Sequence, residues 1–201
     1  GESVAFAFQG GEPLLAGLDY FRSFVKFVKE NNKKNSRIFY SVQTNGTLVT
    51  DEWCDFLREN EFLVGLSLDG DREGNRFRVD AKGGNSYFKI LKAAEKFRSR
   101  GVEFNILVVL TGCCADRCEK IYKYFRDNDF GYLQFIPCLR PFGDESESEL
   151  YMTNSQYASF LIKTFNLYIK DFVRGNYVSV RYFDNLARMY LGEKPEQCGV
   201  C

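Results

Sequence analysis

Six short apolar runs alternate with helical patterns along this chain, and this alternation constrains the fold more than any other feature. The runs are rich in Val, Ile, Phe and Tyr and are bounded by polar or glycine-containing segments, as buried strands are. They cover residues 4–9, 37–43, 62–68, 102–111, 132–136 and 177–181. A strand followed by a helix, repeated in this way, predicts an α/β fold of parallel βαβ units, either closed as a barrel or open as a doubly wound sheet.

Local end signals support the helical patterns. Helices are predicted over residues 17–31, 86–100, 115–128, 154–174 and 183–191, and a further helix begins after Thr50. Thr50 is a suitable N-cap because its hydroxyl can accept a hydrogen bond from a backbone N–H of the first turn. In that turn, the negative charges of Asp51 and Glu52 interact favourably with the positive end of the helix dipole. Gly101 is suited to end the helix before it, since glycine readily adopts the left-handed conformation.

The ends of the predicted strands indicate where a ligand would bind. In both architectures, ligands bind at the carboxyl ends of parallel strands. That rule selects residues 9–13, 43–45, 67–69, 111–114 and 137–139, together with Arg181.

The composition excludes several kinds of site. The chain has no histidine, so it holds no Ser-His-Asp or Cys-His pair and no histidine-based zinc site. Its 27 basic and 27 acidic residues balance, which gives no electrostatic indication of nucleic acid or an anionic membrane. Seven cysteines, an odd number, indicate reduced thiols, and no apolar run reaches the roughly 20 residues that span a bilayer. We expect a cytoplasmic protein without nucleic-acid or membrane partners.

The segment Gln9-Gly10-Gly11-Glu12-Pro13 ends the first strand abruptly. The two glycines permit positive φ and let a ligand approach the backbone, while the glutamate offers acceptors for an ammonium group and the proline fixes the direction of the chain. The same residues suit an ordinary turn with a solvated glutamate, and residue types alone favour that turn.

Three other strand ends carry short polar side chains. They are QTNG at residues 43–46, SLDG at 67–70 and QFIPCL at 134–139. Together they suit a zwitterionic ligand that bears a sugar and a base. Asn45-Gly46 also suits a tight turn, and Ser67 and Asp69 equally suit capping of the loop that follows.

The ordered set of motifs resembles the anaerobic sulfatase-maturating enzymes of the radical S-adenosylmethionine superfamily, in its SPASM-containing subgroup. The motifs are FAFQGGEP, QTNGTL, FLVGLSLDG, VEFNILVV, KIYKYF, LQFIPCL and VSVRYFDNL, followed by a late CG. They run in register over about residues 4–199. The resemblance implies a partial (β/α)6 TIM-like barrel that lacks its first βα unit and carries S-adenosylmethionine across its strand tops.

The resemblance also implies residue roles. In the family, the GGEP backbone and its glutamate receive the amino group of S-adenosylmethionine, the serine of SLDG and an arginine after it contact the cosubstrate, and adenine packs near the QFIPCL strand. The residues so implied for the cosubstrate are Gly10, Gly11, Glu12, Pro13, Asn45, Ser67, Arg78 and Leu139. Gln9 and Arg181 are implied to line the pocket of the substrate peptide.

The implied reaction needs a 4Fe–4S cluster with one open iron. In the family, an electron from the cluster cleaves S-adenosylmethionine to a 5′-deoxyadenosyl radical, which takes a hydrogen from the β-carbon of a Cys or Ser in a sulfatase and so yields formylglycine. The implied partners are a sulfatase polypeptide and an electron donor such as flavodoxin or ferredoxin.

The sequence departs from the family at its cysteines. The CxxxCxxC loop that holds the cluster is absent, and the nearest group, Cys113, Cys114 and Cys118, lies in another unit of the barrel, where incidental thiols are favoured. Cys198 matches the first cysteine of the family's C-terminal extension, which binds auxiliary clusters, whereas Cys201 does not fit the next one.

We therefore expect a truncated barrel core over residues 1–191 and the start of a cysteine-rich extension over 192–201, with no activity for the chain alone. The loop after SLDG differs too, because Gly74 and Asn75 stand where the family usually has a histidine, and Pro137 replaces a polar residue.

Two alternatives remain open. One is another radical enzyme, which modifies a peptide other than a sulfatase. The pocket around Gln9 and Arg181 is the feature that would separate this enzyme from a sulfatase-maturating one. The other is a non-catalytic α/β barrel that binds a small molecule and has lost the cluster. The retained GGEP, QTNG and SLDG motifs argue against it, because they would have no cofactor to hold.

Overall fold

The computed structural model describes residues 2–80, 82–144, 146 and 148–196. These residues form six strands in one sheet, and the order of the strands across the sheet follows the order in the chain. The strands are β1 (Ser3–Phe8), β2 (Arg37–Thr44), β3 (Phe62–Ser67), β4 (Phe104–Leu110), β5 (Tyr132–Pro137) and β6 (Ser179–Val180). The predicted alternation of strands and helices is confirmed.

Seven α-helices and one short 3-10 helix, Pro13–Ala16, connect or follow the strands within the described residues. The α-helices are α1 (Leu18–Asn31), α2 (Asp51–Glu59), α3 (Tyr87–Arg100), α4 (Gly112–Asp116), α5 (Cys118–Asp127), α6 (Asn154–Val173) and α7 (Arg181–Tyr190). In the part of the chain that the structure describes, no helix combines the length and the apolar character that a membrane crossing requires.

The chain divides into two compact units. The first unit comprises Gly1–Ser67 and Val79–Asn105, and the second comprises Leu68–Arg78 and Ile106–Cys201.

In the first unit, β1 and β3 pair with the two sides of β2, both in parallel. Alternate residues of β2 are buried, ending with Val42 and Thr44, as expected for a strand with one covered face. The covering layer is aromatic: the ring centroid of Phe21 in α1 lies 4.7 Å from that of Phe8 and 5.1 Å from that of Trp53. This packing fixes the ends of β1 and β2, where two of the sequence motifs lie.

In the second unit, β5 pairs in parallel with β4 on one side and with β6 on the other. Helix α6 buries Phe160, Thr164, Tyr168 and Asp171, whose spacing of three or four residues forms a single stripe along the helix. Asp171 is buried and paired with Arg126 of α5 at 3.2 Å, so that the stripe includes a compensated charge.

Both predicted helix ends are confirmed. The Thr50 hydroxyl accepts a hydrogen bond from the Trp53 N–H at the start of α2. Gly101 ends α3 in the left-handed conformation, with φ of +67°.

The helix predicted over 115–128 is corrected to two helices, α4 and α5, which are separated at Arg117. The first of them begins at Gly112 because the Thr111 hydroxyl accepts the Cys114 N–H and so caps the chain earlier than the apolar pattern indicates.

The strand predicted over 177–181 is wrong in length. Only Ser179 and Val180 pair with β5, and Arg181 already belongs to α7. The Ser179 hydroxyl donates a hydrogen bond of 2.5 Å to Asp184 in α7, which draws the first turn of the helix against the strand.

Candidate functional site

The QGGEP segment forms an open backbone turn after β1. Gly10 and Gly11 have φ of +92° and +55°, values that strain any residue with a side chain. A Cβ at either position would meet no atom within 4 Å. The backbone conformation therefore favours glycine at both positions, and the space beside them lets another molecule approach the chain.

Glu12 links the turn after β1 to the end of β2. Its Oε1 accepts hydrogen bonds from the Leu14 N–H at 3.1 Å and from the Thr44 hydroxyl at 2.8 Å. Its Oε2 accepts the Asn45 N–H at 2.7 Å. The carboxylate is thus engaged by the chain itself, unlike the solvated glutamate of an ordinary turn, and it also caps the 3-10 helix Pro13–Ala16.

The QTNG segment is a tight turn fitted into the first unit. The Asn45 Oδ1 accepts the Thr47 N–H at 2.9 Å and its hydroxyl at 2.6 Å. Gly46 has φ of +74°, and a Cβ there would lie 2.7 Å from Cδ1 of Leu66. This geometry matches the tight-turn interpretation of Asn45-Gly46, while a cosubstrate role for Asn45 stays a prediction.

In the second unit, the buried Asp69 and the half-buried Arg78 form a bidentate ion pair. Nε and Nη2 of the arginine lie 2.7 and 2.8 Å from the two carboxylate oxygens, and Oδ1 also accepts the Val109 N–H at 2.7 Å. Burial raises the pKa of Asp69, which Arg78 and the N–H of Val109 oppose. The pair fixes the position of the Arg78 guanidinium, because a planar fork binds a carboxylate in one orientation.

Gly74 and Asn75, which stand where the resemblance leads us to expect a histidine, are fitted to the backbone of Asp69. The side chain of Asn75 is fully buried, and its Oδ1 accepts the Asp69 N–H at 3.2 Å. A Cβ at Gly74 would lie 2.6 Å from the carbonyl oxygen of Asp69. Gly74 and Asn75 therefore fit the local packing of this loop, at the point where the resemblance implies a histidine.

The remaining predicted residues lie at less buried positions. Ser67 ends β3 and is half-buried, Gln9 is exposed, and the side chain of Leu139 is exposed after β5. In the second unit, Nη1 of Arg181 donates to Oε1 of Gln134 at 3.0 Å, so the structure brings the arginine to an inner strand residue.

The cysteines that the structure describes do not fit an iron–sulfur cluster. Across residues 2–80, 82–144, 146 and 148–196, no group of three His, Cys, Asp or Glu side chains is placed to hold a metal ion. Cys114 and Cys118 are buried, and burial raises the pKa of both thiols, to about 11 for Cys114, which opposes the thiolate form that binds iron. Cys198 and Cys201 lie outside the described residues.

Two features of these sites were missed by the sequence reasoning. The capping role of Glu12 was signalled locally, since Pro13 at the first position of a helix is a common arrangement after a cap. The pairing of Arg78 with Asp69 had no comparable signal, because the eight residues between the two positions form an irregular loop.

Comparisons with known proteins support the resemblance. The Radical SAM superfamily model matches residues 1–125. The cysteine-type anaerobic sulfatase-maturating enzyme of Clostridium novyi is 46% identical over 98% of this chain and 53% of the relative. The enzyme of the same name from Clostridium perfringens strain 13 is 47% identical over 98% of this chain and 54% of the relative. The chain thus spans about half the length of the curated relatives it matches.

A solved structure, described as native anSMEcpe with bound AdoMet and Cp18Cys peptide, shows the same fold. It matches with a TM-score of 0.94 at 45% identity, over 97% of this chain and 55% of that chain. The match confirms the predicted fold class, a partial TIM-like barrel of the radical SAM type. Since the family model also covers more than half of the sequence, the chain belongs to the radical S-adenosylmethionine superfamily.

Proposed function

We propose that this chain is the barrel portion of an anaerobic sulfatase-maturating enzyme, an oxidoreductase that converts a Cys or Ser of a sulfatase to formylglycine. The observation that carries the proposal is the identity of 46% to a cysteine-type enzyme over almost the whole chain. In this proposal residues 1–191 form the barrel core and 192–201 begin a cysteine-rich extension.

The described residues fit S-adenosylmethionine. In the first unit, the open backbone beside Gly10 and Gly11 suits the ammonium of an amino acid. In the second unit, the guanidinium of Arg78, which Asp69 holds in position, is proposed to contact the cosubstrate. When bound, S-adenosylmethionine supplies the group that abstracts hydrogen from the substrate.

Each predicted residue has a proposed task. Pro13 fixes the course of the chain after the glycine turn, and the side-chain amide of Asn45 and the hydroxyl of Ser67 bind polar groups of the cosubstrate. Leu139 packs against the adenine, and its exposed side chain provides the apolar surface for this contact. Gln9 and Arg181 hold the substrate peptide through hydrogen bonds, which orient the reacting Cys or Ser.

We assign no step to a 4Fe–4S cluster, because the cysteines that the structure describes do not fit one. Cys198 is proposed as a ligand of an auxiliary cluster in the extension. A flavodoxin or ferredoxin as electron donor and a cytoplasmic location complete the proposal.

The test is an anaerobic incubation of the native-length protein, purified from its source, with S-adenosylmethionine, a strong reductant and a sulfatase peptide that contains Cys or Ser. A peptide with Ala at that position is the control. We expect 5′-deoxyadenosine and formylglycine from the reactive peptide alone. Cleavage of S-adenosylmethionine without formylglycine would indicate another peptide-modifying enzyme, and no cleavage by protein with a full iron content would refute the proposal.

A further inference from the structure

The three hydrogen bonds of Glu12 bear on how the glycine turn would hold a ligand. A carboxylate offers about four acceptor positions, and the chain occupies three of them with the N–H groups of Leu14 and Asn45 and the hydroxyl of Thr44. All of these residues lie in the first unit. Most of the hydrogen-bonding capacity of the Glu12 carboxylate is thus used within the protein.

Thr44 continues this network into the turn after β2. Its hydroxyl donates to Glu12 and accepts the Gly46 N–H at 3.1 Å. Thr44 is 2% exposed, so its side chain is shielded from solvent and from any ligand that approaches from solvent. A substitution at Thr44 can therefore alter ligand binding only indirectly, through the residues to which the Thr44 hydroxyl is hydrogen-bonded.

We propose that Glu12 is a positioning residue for the cosubstrate site. Through Leu14, Thr44 and Asn45, its carboxylate holds the Gly10–Gly11 turn against the end of β2, and the backbone of that turn binds the ammonium of S-adenosylmethionine. This role differs from the direct contact between glutamate and ammonium that the resemblance implies. It rests on the proposed function, since it requires that the ligand is an amino acid derivative.

Two variants test the network, and two more serve as controls. Glu12→Gln replaces one of the two acceptor oxygens with an NH2 group, so that the donors of Leu14, Thr44 and Asn45 can no longer all be satisfied. Thr44→Val removes the buried hydroxyl but leaves the charge of Glu12, and Thr44→Ser keeps the hydroxyl and serves as the matched control. Glu30→Gln, at an exposed carboxylate on α1, controls for the loss of one negative charge.

The measurement is equilibrium dialysis of the anaerobically purified protein against S-adenosylmethionine and, separately, 5′-methylthioadenosine, which lacks the amino acid moiety. Affinities are compared at equal iron content. We expect Glu12→Gln and Thr44→Val each to weaken binding of S-adenosylmethionine by about tenfold, and the double variant by little more than either alone. Thr44→Ser, Glu30→Gln and all affinities for 5′-methylthioadenosine should stay within about twofold of the wild type.

Two results would overturn the positioning role while the proposed function stands. In the first, Thr44→Val binds S-adenosylmethionine as tightly as the wild type while Glu12→Gln binds it weakly, which would show that Glu12 itself contacts the ammonium. The other is an equal loss of both ligands, which would show a general structural effect. A wild-type protein that does not bind S-adenosylmethionine would instead refute the proposed function, and the positioning role with it.

Discussion

Two glycines of the first unit, Gly46 and Gly101, allow the effect of side-chain crowding to be separated from that of backbone strain. Both have positive φ, +74° and +67°. A Cβ at Gly46 would lie 2.7 Å from Leu66 Cδ1 and 3.1 Å from Ala93 Cβ, whereas a Cβ at Gly101 would meet nothing within 4 Å. Replacing each with alanine therefore imposes similar strain but crowds only one site.

The expected magnitudes follow from this difference. Alanine in the left-handed conformation costs about 1 to 2 kcal/mol, which applies to both variants. Overpacking a filled core adds about 1 to 3 kcal/mol. This addition applies at Gly46 because Leu66 and Ala93 are themselves buried and have little room to yield. We expect a loss of about 2 to 5 kcal/mol in the free energy of unfolding for Gly46→Ala and of about 1 to 2 kcal/mol for Gly101→Ala.

Urea denaturation of the two variants and the wild type, followed by circular dichroism, measures these losses. The slope of the free energy against urea concentration should stay unchanged, so that the midpoints report stability. Equal losses for the two variants would refute the argument, since crowding at Gly46 would then contribute nothing.

Three further outcomes are expected. Asp69→Asn should lower the free energy of unfolding by about 2 to 4 kcal/mol, because it removes the buried carboxylate that accepts two hydrogen bonds from Arg78, whereas Asp19→Asn at an exposed carboxylate should change it by less than about 0.5 kcal/mol. A small loss for Asp69→Asn in urea denaturation would contradict the contribution of this ion pair. The hydrogen bond from Lys96, reinforced by the charge of Arg100, lowers the pKa of Asp51 in the folded protein. The interaction therefore stabilises the fold above the unfolded pKa of about 3.9, and this stabilisation is lost as the pH falls through the lower folded pKa. Asp51→Asn should therefore flatten the acid limb of stability below about pH 4, and an unchanged acid limb would count against the interaction. Iodoacetamide at about pH 8 should alkylate the half-buried Cys138 before Cys114, because burial raises the pKa of the Cys114 thiol to about 11. Mass spectrometry of digests would show the opposite order if Cys114 were accessible.

Much of the fold was predictable because its signals are local. The hydroxyl of Thr50 and the glycine at position 101 mark helix ends through bonds to residues within one turn, and both predictions hold. The length of β6 depended instead on pairing with β5, which is distant in the chain, and on the side-chain bond from Ser179 to Asp184, which no apolar pattern signals. A short apolar run such as YVSVR contains no information about where its partner strand begins.

The candidate sites show the same division. Alternation of strands and helices was enough to place the QGGEP and QTNG segments at strand ends. It could not show that Glu12 binds the Thr44 hydroxyl, because the two residues are 32 positions apart in the chain and meet only when β1 and β2 pair. The buried pair between Asp69 and Arg78 likewise depends on how an irregular loop folds back, which no periodic pattern describes.

The close fit of Gly74 and Asn75 around Asp69 has a practical consequence for protein engineering. Introducing a histidine at position 74 would place its Cβ 2.6 Å from a backbone oxygen, and at position 75 it would replace a fully buried amide that binds the backbone. Single replacements with histidine should therefore damage the loop before any new chemistry could be measured. Exchanging residues 69–78 together would at least keep the bonds among Asp69, Asn75 and Arg78 within the exchanged segment.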